Sequence, residues 1–243
     1  PRSGTTPLLN LMAADSRLRA LPLWESYEPI PLPGEQPSTA GVDPRYQRCA
    51  EQWQMMQSLT PLLAAMHPMH PDHIHEELEL MGPDFASYNY EWLSVSPRWR
   101  DHYYATDQTP HYEYLKTVLK ILTWQDGDHS GSATRWVLKC PQHLLQACVN
   151  DRAVWPVQQS IDVLFHEFMA DDLGMVERIY AKAGLAMTES ARCELQQYVD
   201  THPRGKDGRV VYNLREDFGV DPTELRERFS FYFERFPVKI EVR

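Results

Sequence analysis

What this 243-residue chain lacks narrows its possible functions. It has four cysteines, Cys49, Cys140, Cys148 and Cys193, and no two form a C-x-x-C pair. A chain of this size needs no disulfide staples, so reduced thiols and a cytoplasmic setting are expected. Positive charge is in deficit: 34 Asp and Glu face 24 Lys and Arg, for a net charge of −10. This argues against a broad nucleic-acid surface, while leaving room for a small basic pocket around an anionic cofactor. No apolar run is long enough to span a membrane, no signal peptide is visible, and no repeat stands out. With 42% apolar residues, a real core is available.

The strongest local motif is "PRSGTT" at residues 1–6. Gly4 permits close backbone approach to a phosphate and dihedrals that other residues avoid. Thr5 and Thr6 offer hydroxyls and the first N–H groups of a helix, where the dipole favours an anion. Arg2 adds a bidentate cation. The nucleoside-triphosphatase loop needs a lysine directly after its last glycine, and Thr5 stands there instead. A kinase or ATPase is demoted accordingly. On its residues alone the stretch also reads as an ordinary polar helix cap.

Periodicity places the elements. Pro7–Ala14 reads as a helix with Leu8, Leu11 and Met12 on one face. A second begins at Asp43-Pro44, with Cys49, Trp53, Met56, Leu59 and Leu63 as a buried stripe. A third is predicted from Tyr112 to Trp124. Trp136–Leu138 and Ile161–Phe165 read as strands. Helices are predicted to end at Gly184 and to start at Thr188. A last helix starts at Asp221, with Leu225, Phe229, Phe233 and Phe236 inward.

Three stretches together, "PRSGTTPLLNLMAADSRLRALPLWE", "RWVLKCPQHL" and "HPRGKDGRVVYNLREDFGVDPTELRERFSFYFERF", resemble the bacterial branch of the sulfotransferase superfamily. The resemblance implies that the first loop, with Arg2, Ser3, Gly4, Thr5 and Thr6, holds the 5′-phosphosulfate of PAPS (3′-phosphoadenosine 5′-phosphosulfate). It implies a single domain over 1–243 of the α/β class, a P-loop-like parallel β-sheet flanked by helices, with a helical cover over the active site. Two departures stand out. Cys140 occupies a position that is usually Ser or Thr. The family's 3′-phosphate motif is missing where "LKCPQHLLQ" runs into "QACVNDRAVWPVQQSIDV". The expectation is that residues of the natural chain are absent near Leu145–Ala147, and that a strand precedes Pro1.

Sulfuryl transfer needs positive charge on the sulfuryl oxygens and a group to take the acceptor's proton. Arg2 and Lys139 suit the first task. For the base, the resemblance points to Glu76 of "HPDHIHEELEL" first, then to Glu25 in "LWESYEP", with His67 or His75 as further candidates. Glu76 and Glu77 equally fit a solvated first helical turn. His67, His70, His73 and His75 match no known zinc spacing, and PAPS chemistry requires no metal. The resemblance implies a basic loop over the cofactor, a role that Arg209 and Lys206 in "RGKDGR" fit, as they equally fit a surface turn. Tyr90, Trp92, Trp99, Tyr103 and Tyr104 are candidates for an acceptor wall. The implied activity is sulfation of a hydroxyl on a glycolipid, glycan or other small molecule. The rivals are an atypical P-loop kinase and a non-catalytic phosphonucleotide-binding module. The reading leaves room for peripheral contact with lipid and for a homodimer.

Overall fold

The computed structural model describes residues 4–35, 42–127, 135–140, 152–205 and 213–239. In chain order the elements are α1 (Thr5–Ala13), β1 (Leu18–Arg19), α2 (Leu23–Tyr27), α3 (Pro44–Leu59), α4 (Leu63–Met66), α5 (Asn89–Leu93), α6 (Pro97–Ala105), α7 (Thr109–Asp126), β2 (Arg135–Trp136), α8 (Phe165–Ala170), α9 (Asp172–Ala183), α10 (Glu189–Thr201), α11 (Leu214–Phe218), α12 (Pro222–Arg228) and α13 (Ser230–Arg235). The chain divides into two compact units. One holds Ala13–Gln142 and the other holds Pro1–Met12 with His143–Arg243.

In the Ala13–Gln142 unit, β1 and β2 pair in parallel, Leu18 beside Arg135 and Arg19 beside Trp136. The Val137 N–H extends the ladder by donating to the Arg19 carbonyl (2.9 Å). On its other side, the chain after β1 bonds to the His-rich segment. The Leu23 N–H donates to the His73 carbonyl (2.9 Å), and the His75 N–H donates to that of Leu21 (2.8 Å). Pro22 and Ile74 form the antiparallel bridge between them. Leu21 anchors a core with Leu80, Met81, Ala86, Leu115, Val118 and Leu122, and Trp136 and Leu138 pack against it. Each fully buried leucine there contributes about 1.5–3 kcal/mol.

The other unit follows its capping signals. The Asp171 carboxylate accepts from the Gly174 N–H, Thr188 Oγ1 from the Ala191 N–H, Asn213 Oδ1 from Arg215 and Glu216, and Asp221 from Thr223. Helix α9 closes with the Leu185 N–H on the Tyr180 carbonyl (2.8 Å) and the Gly184 N–H on that of Ala181 (3.2 Å). This closure needs Gly184 at φ 65°. Met175, Val176, Tyr180, Ala191 and Leu195 are buried, on the inward faces of α9 and α10.

Several expectations need correction. Ile161–Leu164 forms no strand, and the chain enters α8 at Phe165. A short apolar run does not by itself distinguish a strand from a helix entry. The predicted stripe on α3 buries only Cys49, while Leu59 is 72% exposed. The helix is tied down by its polar N-terminal turn instead. Buried Arg45 pairs with Asp43 (2.8 Å), reaches the Glu28 and Pro29 carbonyls (3.2 Å each) and lies over the Trp24 ring (4.7 Å). The last helix is interrupted at Phe229, and of its four predicted inward residues Phe236 alone is fully buried. The described residues contain a two-stranded parallel sheet within a mainly helical structure. The segment near Leu145–Ala147 lies outside the described residues, as do Arg2, Ser3, Lys206 and Arg209.

Gly184 gives a direct test. Gly184→Ala forces a side chain into the left-handed region and is expected to cost about 1–2 kcal/mol, read as a lower urea unfolding midpoint.

Candidate active site

The backbone zipper around Leu21 sets the site in the Ala13–Gln142 unit. Lys139 leaves β2 three residues after Trp136. Glu76 follows His75, whose N–H is fixed on Leu21. Sixty-three positions apart in sequence, the two side chains meet: Lys139 Nζ lies 2.5 Å from Glu76 Oε1. Both are largely buried, with side-chain exposures of 11% and 12%. Glu76 also precedes the 3₁₀ turn Glu77–Glu79, in extended backbone at φ −95° and ψ 143°.

Glu77, the next residue, is buried as well. Burial pushes its carboxyl above the usual carboxylate range, against hydrogen bonds from the Cys140 thiol and the Lys139 amide. Cys140, where the family pattern usually has a hydroxyl, is thus a neighbour of Glu77.

Glu25, the alternative base, sits in α2 and is also buried. Arg19 Nη2 donates to its Oε1 (2.9 Å) and lies 2.8 Å from its Oε2. The same guanidinium makes a two-pronged contact to Asp126 (2.9 Å each) and covers the Trp136 ring at 4.9 Å. Because Arg19 is shared, it does not offset burial fully, and the Glu25 carboxyl is raised. Glu25 therefore joins β1, α2 and the end of α7 in one buried network.

Histidines distant in spacing also converge. His67 caps α4, while His73 and His75 flank Ile74 in the bridged segment, where alternate residues share a face. His73 and His75 are buried. Burial and neighbouring imidazoles push His73 down to about 3, and burial lowers His67 as well. The candidate aromatic wall is a true ring cluster: Tyr90–Trp99, Trp99–Tyr103 and Tyr103–Tyr104 lie 5.5, 5.1 and 5.7 Å apart. Tyr88 links Trp92 to it at 5.8 Å. Tyr103 is buried, whereas Trp92 is 53% exposed.

In the other unit, Gly4 takes φ 77° just before Thr5 and Thr6 open α1. A Cβ on Gly4 would lie 2.5 Å from the Phe165 ring, so glycine is required on steric and conformational grounds. No acidic side chain lies in the first turn of α1, so the helix dipole there is not countered from within the helix.

The model of the Sulfotransferase family matches residues 1–147, more than half of the chain. The chain belongs to the sulfotransferase family. The fold agrees with two mycobacterial members of known structure. Sulfotransferase STF9 from Mycobacterium avium superposes with a TM-score of 0.76 at 19% identity, covering 100% of this chain and 76% of that one. Sulfotransferase STF1 from Mycobacterium tuberculosis H37Rv gives 0.71 at 22% identity, covering 94% of this chain and 74% of its own. At these identities the likeness is one of fold. Comparison with curated proteins gave no match. No helix among the described residues is long and apolar enough to cross a membrane.

Sequence reading singled out Lys139 and Glu76 separately but missed their pairing, and it missed Arg19 and Asp126. Their only signal was charge in otherwise apolar or structured surroundings. Two tests follow. Lys139→Met strands a buried carboxylate and is expected to lower stability by about 3 kcal/mol, most of it recovered by adding Glu76→Gln in a double-mutant cycle. For Glu25, a raised folded pKa means that its stabilising effect is full below about 4.5 and is lost as pH rises through the folded value. Glu25→Gln should therefore gain in melting temperature relative to the parent as pH rises from about 4 to 7.

Proposed function

We propose that the protein transfers a sulfuryl group from PAPS to a hydroxyl of a glycolipid, glycan or other small-molecule acceptor, with Glu76 as the base. The observation that carries this reading is the buried Lys139–Glu76 pair, built from a family motif on one side and the acidic segment on the other. The loop at Gly4 fits an anionic donor, since it combines a sterically required glycine, a helix N-terminus with no acidic residue in its first turn, and two threonines.

When bound, PAPS supplies the sulfur: its bond to the phosphate oxygen breaks as the acceptor oxygen bonds to sulfur. In this reading Gly4, Thr5 and Thr6 hold the 5′-phosphosulfate, with Arg2 and Ser3 alongside and Arg209 towards the rest of the nucleotide. Glu76 accepts the acceptor's hydroxyl proton on the oxygen that Lys139 does not hold. Lys139 balances the carboxylate in the resting site. With Glu76 neutral, the Lys139 ammonium would supply positive charge where negative charge develops. The Tyr88–Tyr104 ring cluster, partly exposed, offers apolar ring faces to an acceptor. No metal takes part in this scheme.

The test separates binding from chemistry. PAP should raise the melting temperature, and ATP with magnesium should not; the reverse would favour a kinase. Glu76→Gln should keep PAP affinity while kcat falls about 10²–10⁴-fold. Arg2→Ala should weaken PAP binding. Normal turnover by Glu76→Gln would remove Glu76 from the base role.

A further inference from the structure

Three histidines form a cluster whose chemistry the proposed reaction does not use. His67, His73 and His75 each offer one ring nitrogen, and these nitrogens all lie within 4.8 Å of one another. Their rings stand edge to face, with centroids 5.3 Å (His67–His73), 5.5 Å (His67–His75) and 5.9 Å (His73–His75) apart.

The backbone fixes this convergence. The His67 N–H closes α4 on the Leu63 carbonyl (2.8 Å), and His73 and His75 are pinned to Leu23 and Leu21 on either side of the Ile74 bridge. Two nitrogens, His67 Nδ1 and His75 Nδ1, are buried with no hydrogen-bond partner among the described residues. Buried polar atoms are nearly always paired, so each of these orphans calls for a partner. At His75 the cause is visible: Nε2 faces Glu79 Oε1 at 3.4 Å. A carboxylate beside one ring nitrogen is the arrangement that orients a metal-binding imidazole through its other nitrogen.

We infer that His67, His73 and His75 form a binding site for a divalent transition metal of the zinc class. An all-imidazole donor set suits Zn²⁺, Co²⁺, Ni²⁺ or Cu²⁺ over the oxygen-seeking Mg²⁺ or Ca²⁺. Three nitrogens at about 2.0–2.1 Å from one tetrahedral ion lie about 3.4 Å apart, so small ring rotations complete the site. The ion would tie the end of α4 to the 73–75 segment, whose next residue is Glu76. This inference stands apart from the assigned reaction, because binding can be measured without turnover.

The experiment uses the untagged full chain, stripped with chelator and titrated with Co²⁺. The parent should take up one equivalent with a visible d–d band, which Zn²⁺ displaces, and Zn²⁺ should raise its melting temperature. His73→Ala should abolish the band. Because His73 is buried, His67→Gln with an unchanged far-UV spectrum is the second variant, and it should bind at least about tenfold more weakly. His202→Gln, at an exposed position in the other unit, should bind as the parent does. Absence of a band in the parent, or parent-like binding by folded His67→Gln, would overturn the site.

Discussion

The structure around the candidate site depends on one stretch of extended backbone, Leu18–Trp24. On one side it hydrogen-bonds to Arg135–Val137, and on the other to Pro71–His75. Leu21, fully buried at its centre, joins that scaffold to the apolar core. Backbone N–H and C=O groups buried beside such a core must be paired, so neither flank can shift register without leaving several of them unsatisfied. The Lys139–Glu76 contact follows from this constraint, because each residue lies a few positions beyond an anchored one.

Charge is handled by the same scaffold. The chain is acidic overall, yet its buried carboxylates are drawn towards the few cations that the fold brings inward. Arg19 divides itself between Glu25 and Asp126, Arg45 holds Asp43, and Lys139 holds Glu76. Where the cation is shared or absent, burial dominates, and the Glu25 and Glu77 carboxyls rise. Two buried acids in one small region thus differ in kind. Glu25 is locked into a three-element network that supports the fold. Glu76 pairs with Lys139, a cation that comes from a segment far away in sequence.

Local signals were legible wherever the physics is local. The caps at Asp43, Thr188 and Asp221 and the stop at Gly184 are where the residue types place them, since each satisfies helix-end groups within three or four residues. The apolar pattern of α3 misled, because a stripe is buried only if another element covers it, and Leu59 is left open. Ile161–Leu164 misled for a related reason: β-type composition makes no strand without a neighbouring ladder.

The sequence by itself determined the family, through the motifs that lie within residues 1–147, together with the need for glycine at position 4 and several helix ends. Those features rest on backbone dihedrals and short-range hydrogen bonds that a few residues settle among themselves. Tertiary structure alone decided that Lys139 meets Glu76, that Glu25 belongs to Arg19 and Asp126, and that His67 joins His73 and His75. These groups are joined by ladders between segments up to 117 positions apart, as Leu18 and Arg135 show. Side-chain spacing along the chain carries no record of such pairings.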